Sequence, residues 1–513
     1  MKENSEYRII KEIMKNPSVW AILAVIVRSS VNFFMAPYVT RTVGMEAYGF
    51  VSLGNNIVTY IDIIAISFNY FSERYISVTY HQKKFSDAHK YYSSIIITDL
   101  MICAGLFIPM GIVVHNIESF LNVSVYLIQD VRILFVCVFF KYCLTLVGTT
   151  FNVGVFIRNR VDITSKNRII SYVVQMVVLV YLFTFFIPRV WYVGIASLAA
   201  TFVFILLQYR MKNKMLHDFK FRWNEYTFSY VRELFLQGIW VSLNNIGNIL
   251  NHGLDLLITN LMVSEVMVGM ISVAKMLGTL GYTVVTAVSG SLQPAQLKKY
   301  SLKHYDELVD LLKRAMRITG GCFVLFLAGF IGWGEDFLSL WMPGQDTVAL
   351  YKLTAICILS DFIPACVNPL YYTYTLTKHM KVPCYITLSM GIANIVSMYL
   401  LLKLSSMGGY AIVITTMMIN WVHFWDSPIY AAYCLHKNWK TFYPVIFLHL
   451  SGGVIQVIIS LLLRSVYPKA VSWSSLIVKI ILFGIIGGCV CVITNTTKKE
   501  RRILMSRLDI GRK

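Results

Sequence analysis

About fourteen stretches of twenty or so largely apolar residues punctuate this chain, and they constrain its fold more than any other feature. Roughly 20 helical residues cross the hydrocarbon of a bilayer, and a helix satisfies its own backbone groups there. The first six windows are Pro17–Pro37, Tyr48–Asn69, Tyr91–Val113, Val125–Ile157, Ile169–Ile187 and Trp191–Tyr209. Six more follow, Leu236–Thr259, Val266–Gln293, Met316–Trp333, Ala349–Leu376, Pro383–Leu402 and Gly409–Leu435, and then Thr441–Leu463 and Leu476–Val492. Composition agrees: 57% of residues are hydrophobic and 14% charged, whereas soluble domains sit near 45–50% and about 25%. The expected fold is an all-α polytopic membrane protein.

A net charge of +20 would suit nucleic acid if it lay on one face, but the Lys and Arg fall in short loops between spans, which excludes that partner. With the N-terminus inside and the loops alternating, 35 of the 46 Lys and Arg fall on the inner side and six on the outer. This is the bias of a cytoplasmic membrane protein with both termini cytoplasmic. The charged opening segment has no small-residue cleavage site after the first span, so that span is expected to be retained. Residues Ile9, Ile10, Ile13 and Met14 suit a short interfacial helix. No Cys/His cluster has metal-ligand spacing, and no cofactor is expected.

An internal repeat runs at an offset of 220 residues: Trp20 falls on Trp240, Gly49 on Gly269, Ser52 on Ser272 and Tyr80 on Tyr300. Arg28 and Asn32 of the first span land on Asn248 and His252 of the seventh. Six spans separate equivalent positions, so both halves share one orientation, a parallel repeat. The expected organisation is a cytoplasmic segment (1–16), an N-terminal six-helix bundle (17–210), a linker (211–233), a C-terminal six-helix bundle (234–435), two added spans (436–494) and a basic tail (495–513).

Within the seventh span Asn244, Asn248, Asn251 and Asp255 recur at steps of four, three and four, with His252 beside them. That spacing puts a polar stripe on one helix face. Lys275 lies well inside the eighth span, where a charge must face water or the bundle interior. Interhelical hydrogen bonding accounts for any one Asn; the stripe together with the lysine points to a transport cavity.

The chain resembles the polysaccharide transporter branch, the Wzx-type O-antigen and capsule-repeat flippases, of the multidrug/oligosaccharidyl-lipid/polysaccharide exporter superfamily. The residues that carry the likeness are the cationic first span followed by Gly44, Glu46, Tyr48 and Gly49, the inner loop with Arg74, Lys83 and Lys84, the six-plus-six-plus-two plan, and Trp341–Gly344. The resemblance implies movement of an undecaprenyl-pyrophosphate-linked oligosaccharide to the outer leaflet by alternating access. Arg28, Lys141 and Lys275 would meet the pyrophosphate, and Asn32, Asn244, Asn248, Asn251 and His252 the sugars. A polysaccharide polymerase and a chain-length regulator would be partners, along with membrane lipids.

Each charge has a structural alternative: an Arg28–Asp62 ion pair, Lys275 paired with Asp255 or Asp361, Arg132 turned outward beside Asp130, and Lys479 snorkelling at its span end. Asp62, Asp255 and Asp361, with Asp99, are candidates for proton or sodium coupling. Rival functions are a multidrug antiporter of the same superfamily, which would have acidic residues in the N-terminal half, a peptidoglycan-precursor flippase, and a membrane-embedded polymerase or acyltransferase. No nucleophile motif supports the last.

Overall fold

The computed structural model describes residues 17–217, 219–467 and 469–495. The expected interfacial segment 1–16 lies outside them, as does all but the first residue of the tail 495–513. Among the described residues all regular structure is helical. In chain order the helices are α1 (Pro17–Thr42), α2 (Met45–His81), α3 (Phe85–His115), α4 (Ile128–Thr149), α5 (Val161–Phe185) and α6 (Trp191–Met215). Next come α7 (Phe228–Asn248), a π-helical turn over Ile249–Gly253, α8 (Asp255–Met262), α9 (Glu265–Ser301) and α10 (Tyr305–Trp341). The broken run α11 (Thr347–Ser360), α12 (Phe362–Val367) and α13 (Tyr371–Leu376) leads to α14 (Lys381–Leu404) and the pair α15 (Gly409–Trp421) and α16 (His423–Cys434). Last are α17 (Tyr443–Val466) and α18 (Trp473–Asn495).

Among the described residues, eleven helices are long and apolar enough to cross a membrane, and the two limbs of α2, bent by 70°, make a twelfth. Length and apolarity alone therefore stop short of fourteen. The segments left over are α7–α8, whose polar stripe dilutes it, and α15–α16, which is split at Val422.

By contacts the chain divides into two compact units, Met1–Gly269 and Met270–Lys513. Both α7 and α8 belong to the first unit, so the division by contact differs from the six-plus-six division by repeat. In that unit Val31, Met35 and Val39 of α1 pack on Leu179 and Phe183 of α5 and Ala196 of α6. A second core joins Phe68 and Ile76 of α2, Tyr92 and Ile95 of α3, and Tyr142 and Leu146 of α4.

In lipid the hydrophobic effect does not drive helices together, so close van der Waals approach over small residues must. The packing of α7 along α2 shows it: a Cβ added to Gly238 would overlap the carbonyl oxygen of Ser67. At the other end of α2, a Cβ on Gly49 would lie 2.7 Å from the backbone nitrogen of Gly269. Gly44, which joins α1 to α2 at φ +106°, adopts a conformation that a side chain would strain. The Ser242 hydroxyl is paired with that of Ser67 and lies 3.0 Å from the Ile63 carbonyl. Insertion of a side chain beside the helical ladder is an ordinary cause of a kink, and α2 bends here. Beyond α3, Asn122 and Asn260 hold each other reciprocally: Asn122 N–H donates to the Asn260 side chain (2.9 Å), and the Asn260 amide returns a bond to the Asn122 carbonyl (2.9 Å).

In the second unit α17 and α18 both pack on α10. Val324 meets Phe362 and Ile446 in one core, and Ala328 and Trp333 share another with Phe483. Side chains of α17 fasten the pair: Ser460 donates to the Ala328 carbonyl (2.7 Å), and Arg464 reaches both the Gly332 carbonyl (3.0 Å) and Glu335 (2.7 Å). Arg464→Gln is expected to destabilise the purified protein by about 1–2 kcal/mol, the worth of a partly screened charge-assisted bond, measured as a lowered Tm in detergent.

Two expectations about terminal charges are corrected. Arg132 does not sit beside Asp130; it pairs with Glu118 (2.9 Å), while Asp130 takes Arg189 (3.1 Å). The turn after α3 brings Glu118 within reach of Arg132, and the start of α6 brings Arg189 to Asp130. Lys479 is 7% exposed and turned inward, not snorkelling.

Candidate functional site

A cavity of about 490 Å³ with a wall rich in polar side chains lies between α2 and α4. From α2 it is lined by Asn55, Thr59, Asp62, Asn69 and Glu73, and from α4 and the turn after it by Lys141, Tyr142, Thr145, Thr149 and Asn152. Positions 55, 59, 62, 66, 69 and 73 alternate steps of four and three, so they form one helix face. The same spacing singled out the seventh span; applied to the second it would have found Asn55, Asn69 and Glu73.

Hydrogen bonds fix most of the cavity wall. Asn69 donates to Asp99 (2.9 Å), whose other oxygen is 3.4 Å from the Thr150 hydroxyl, so Asp99 is enclosed and structural in its bonding. Asp62 faces Tyr142, and Glu73 faces Asn152. Lys141 reaches Asn55 (3.1 Å) and forms no ion pair among the described residues. Arg28, near the middle of α1, lies within electrostatic reach of Lys141. It forms neither an ion pair nor a hydrogen bond among the described residues, so the Arg28–Asp62 pair is not made. Asn32 is one turn further along α1 and, like Arg28, exposed. Two cations within electrostatic reach of each other, neither paired with a carboxylate among the described residues, favour the binding of an anion.

The stripe of the seventh span is divided by the π-helical turn, where the N–H of Leu254 bonds five residues back to Ile249. Asn244 is half-buried and Asn248 and His252 are exposed, whereas Asn251 and Asp255 are buried at 4% and 1%. The Gly253 carbonyl accepts from Tyr60 (2.5 Å) and Asn56 (3.2 Å) of α2. Asp255 lies within electrostatic reach of the same Tyr60. In the second unit Lys275 and Asp361 interact electrostatically, which brings together one cation and one carboxylate read separately from the sequence.

A His–Asp–Ser group not foreseen from the sequence joins His423, Asp426 and Ser427. Asp426 (3.0 Å) and Ser427 (3.4 Å) meet the same imidazole nitrogen, Nδ1. A proton relay needs them on opposite nitrogens, so this is a local side-chain hydrogen-bond cluster and not an activated nucleophile.

Residues 14–298 match a family described as polysaccharide biosynthesis protein. The uncharacterized membrane protein EpsK of Bacillus subtilis (strain 168) is 26% identical over 483 residues, covering 93% of this chain and 94% of that one. Among solved structures, an inward-facing multidrug resistance MATE family transporter of the MOP superfamily overlays at a TM-score of 0.63 and 12% identity, over 79% of this chain and 94% of that one. The lipid II flippase MurJ, in an inward closed conformation, overlays at 0.58 and 15% identity, over 93% of this chain and 100% of that one. At these identities the overlays establish the fold, that of the multidrug/oligosaccharidyl-lipid/polysaccharide exporters, as the sequence resemblance implied.

Proposed function

The chain belongs to the polysaccharide biosynthesis protein family, and on that premise we propose that it moves lipid-linked oligosaccharide repeat units across the cytoplasmic membrane by alternating access. Undecaprenyl pyrophosphate is the proposed carrier, and both termini are proposed to be cytoplasmic. The observation that carries this reading is Lys141, which lines the cavity of the first unit, together with Arg28 within its electrostatic reach, both without a carboxylate partner among the described residues. Fixed cations replace the hydration of a pyrophosphate, and the amides and hydroxyls of Asn55, Thr59 and Asn69 suit polar cargo. Lys275, the remaining Asn stripe and His252 are proposed as further cargo contacts. A polysaccharide polymerase and a chain-length regulator are the proposed partners.

The test is to locate lipid-linked oligosaccharide in cells lacking the protein, with a membrane-impermeant glycan-modifying probe. Cargo confined to the cytoplasmic leaflet, and released by the wild-type gene, supports the flippase; cargo already outside overturns it.

Asp62, in the same cavity, is the proposed site for a coupling proton or sodium ion, with Asp255 and Asp361 as further candidates. Asp62→Asn is expected to make export indifferent to an imposed ion gradient in membrane vesicles, and a dependence equal to that of wild type removes Asp62 from this role. The presence of Asp62 and Glu73 also favours a second reading, a small-molecule antiporter, since carboxylates there suit a cationic drug. Ethidium efflux that needs Asp62 and not Arg28 would decide for it.

A further inference from the structure

The second unit holds a cavity of its own, about 330 Å³, within the size range of small-ligand sites. It lies where the second half of α9 meets α13 and the turn before it, toward the end of α9 that carries Lys298 and Lys299. No Asp, Glu, Lys, Arg or His lines it. Gln296, 0% exposed, is part of its wall. Neither the oxygen nor the nitrogen of its amide has a hydrogen-bond partner among the described residues. Ser289, seven residues earlier and so on the same face of α9, is 5% exposed and its hydroxyl is likewise unpartnered. Pro294, between them, removes the N–H that would ordinarily bond the Gly290 carbonyl.

An amide buried without partners is destabilising, so a helix built for packing alone would place Leu or Met here. The polar groups are matched when something that both donates and accepts fills the cavity. An amide presents an acceptor and two donors side by side, the arrangement that grips two neighbouring hydroxyls of a pyranose. Tyr371 and Tyr372 in the wall add aromatic surface that suits its apolar side. A pyrophosphate is excluded as occupant, because a buried anion needs a counter-charge and the wall has none.

We propose that this cavity, which shares no lining residue with the cavity of the first unit, is a subsite for an uncharged sugar ring of the cargo. The proposal rests on the reading of the cargo as a lipid-linked glycan, and its test separates the two. Purified wild-type protein and Gln296→Leu are applied to an array of neutral and acidic bacterial oligosaccharides, and binding of undecaprenyl pyrophosphate is read in parallel by native mass spectrometry. The expected result is binding to neutral glycans that falls at least tenfold in Gln296→Leu, with carrier binding unchanged and Tm equal to wild type or higher. Ser289→Ala, a smaller change, is expected to weaken the same glycans severalfold and provides the reading if Gln296→Leu does not fold. Glycan binding that depends on Gln296 without any carrier binding would uphold the subsite and overturn the lipid-linked cargo. No binding to neutral glycans by wild type, or equal binding by both variants, would overturn the subsite.

Discussion

Arg28→Ala is expected to leave cargo on the cytoplasmic face while the protein stays in the membrane at normal abundance. Arg28 is exposed and makes no ion pair or hydrogen bond among the described residues, so its removal withdraws nothing from the packing of α1. What is withdrawn is one of two cations within electrostatic reach of each other, the other of which, Lys141, lines the cavity. A charge-assisted hydrogen bond to a phosphoryl oxygen is worth about 1.5–3 kcal/mol, so transport at limiting cargo should fall roughly ten- to hundredfold. Lys141→Ala should do the same through the other cation. The double variant should fall less than the product of the two, because residues serving one group couple. Arg28→Lys should recover part of the activity, since it restores the charge without the bidentate fork. Full export by both single variants would remove the cations from the cargo path.

The largest effect on folding is expected at Gly238. Its Cα hydrogen occupies space that a Cβ would take from the Ser67 carbonyl oxygen. That neighbour is backbone and cannot rotate away. Gly238→Leu is therefore expected to part α7 from α2 and cost upwards of about 3 kcal/mol, the high end for overpacking. Most of the protein should then be lost from the membrane, read as a collapsed monodisperse peak on size-exclusion chromatography in detergent. Gly105→Ala on α3, where a Cβ meets nothing within 4 Å, should leave both abundance and Tm unchanged or slightly raised, because Ala favours the helix. Normal abundance of Gly238→Leu would mean that the two helices do not meet as described.

Much of the fold is legible in the sequence because a bilayer makes a one-dimensional demand: about twenty apolar residues in a row. All fourteen windows fall on helices or on broken runs of them. The site was legible only in part. Arg28 and Lys141 each stand out as a charge in an apolar span, but their neighbourhood is set by how α1 and α4 pack, which no spacing along either helix encodes. The stripe on α2 was legible and overlooked, since Ile66 interrupts it and Asn69 and Glu73 sit close to a charged loop. Gln296 could not be read at all: amides near span ends are ordinary, and only burial without a partner makes this one unusual. Asp255 shows the opposite failure. Its place in the stripe suggested exposure to a cavity, and the π-helical turn carries it into the interior.

That turn also fixes how α7–α8 can change over evolutionary time. A stretch that bonds five residues back holds one amino acid more than a regular helix would. Removing one residue between Ile249 and Gly253 would close the ladder into a regular helix, and because the wider turn already absorbs the extra residue, the side chains of α8 would keep their faces. Asp255 would stay in the interior. An indel of one residue is thus absorbed locally at this turn, whereas the same change elsewhere in α7 or α8 would rotate everything beyond it by about 100°.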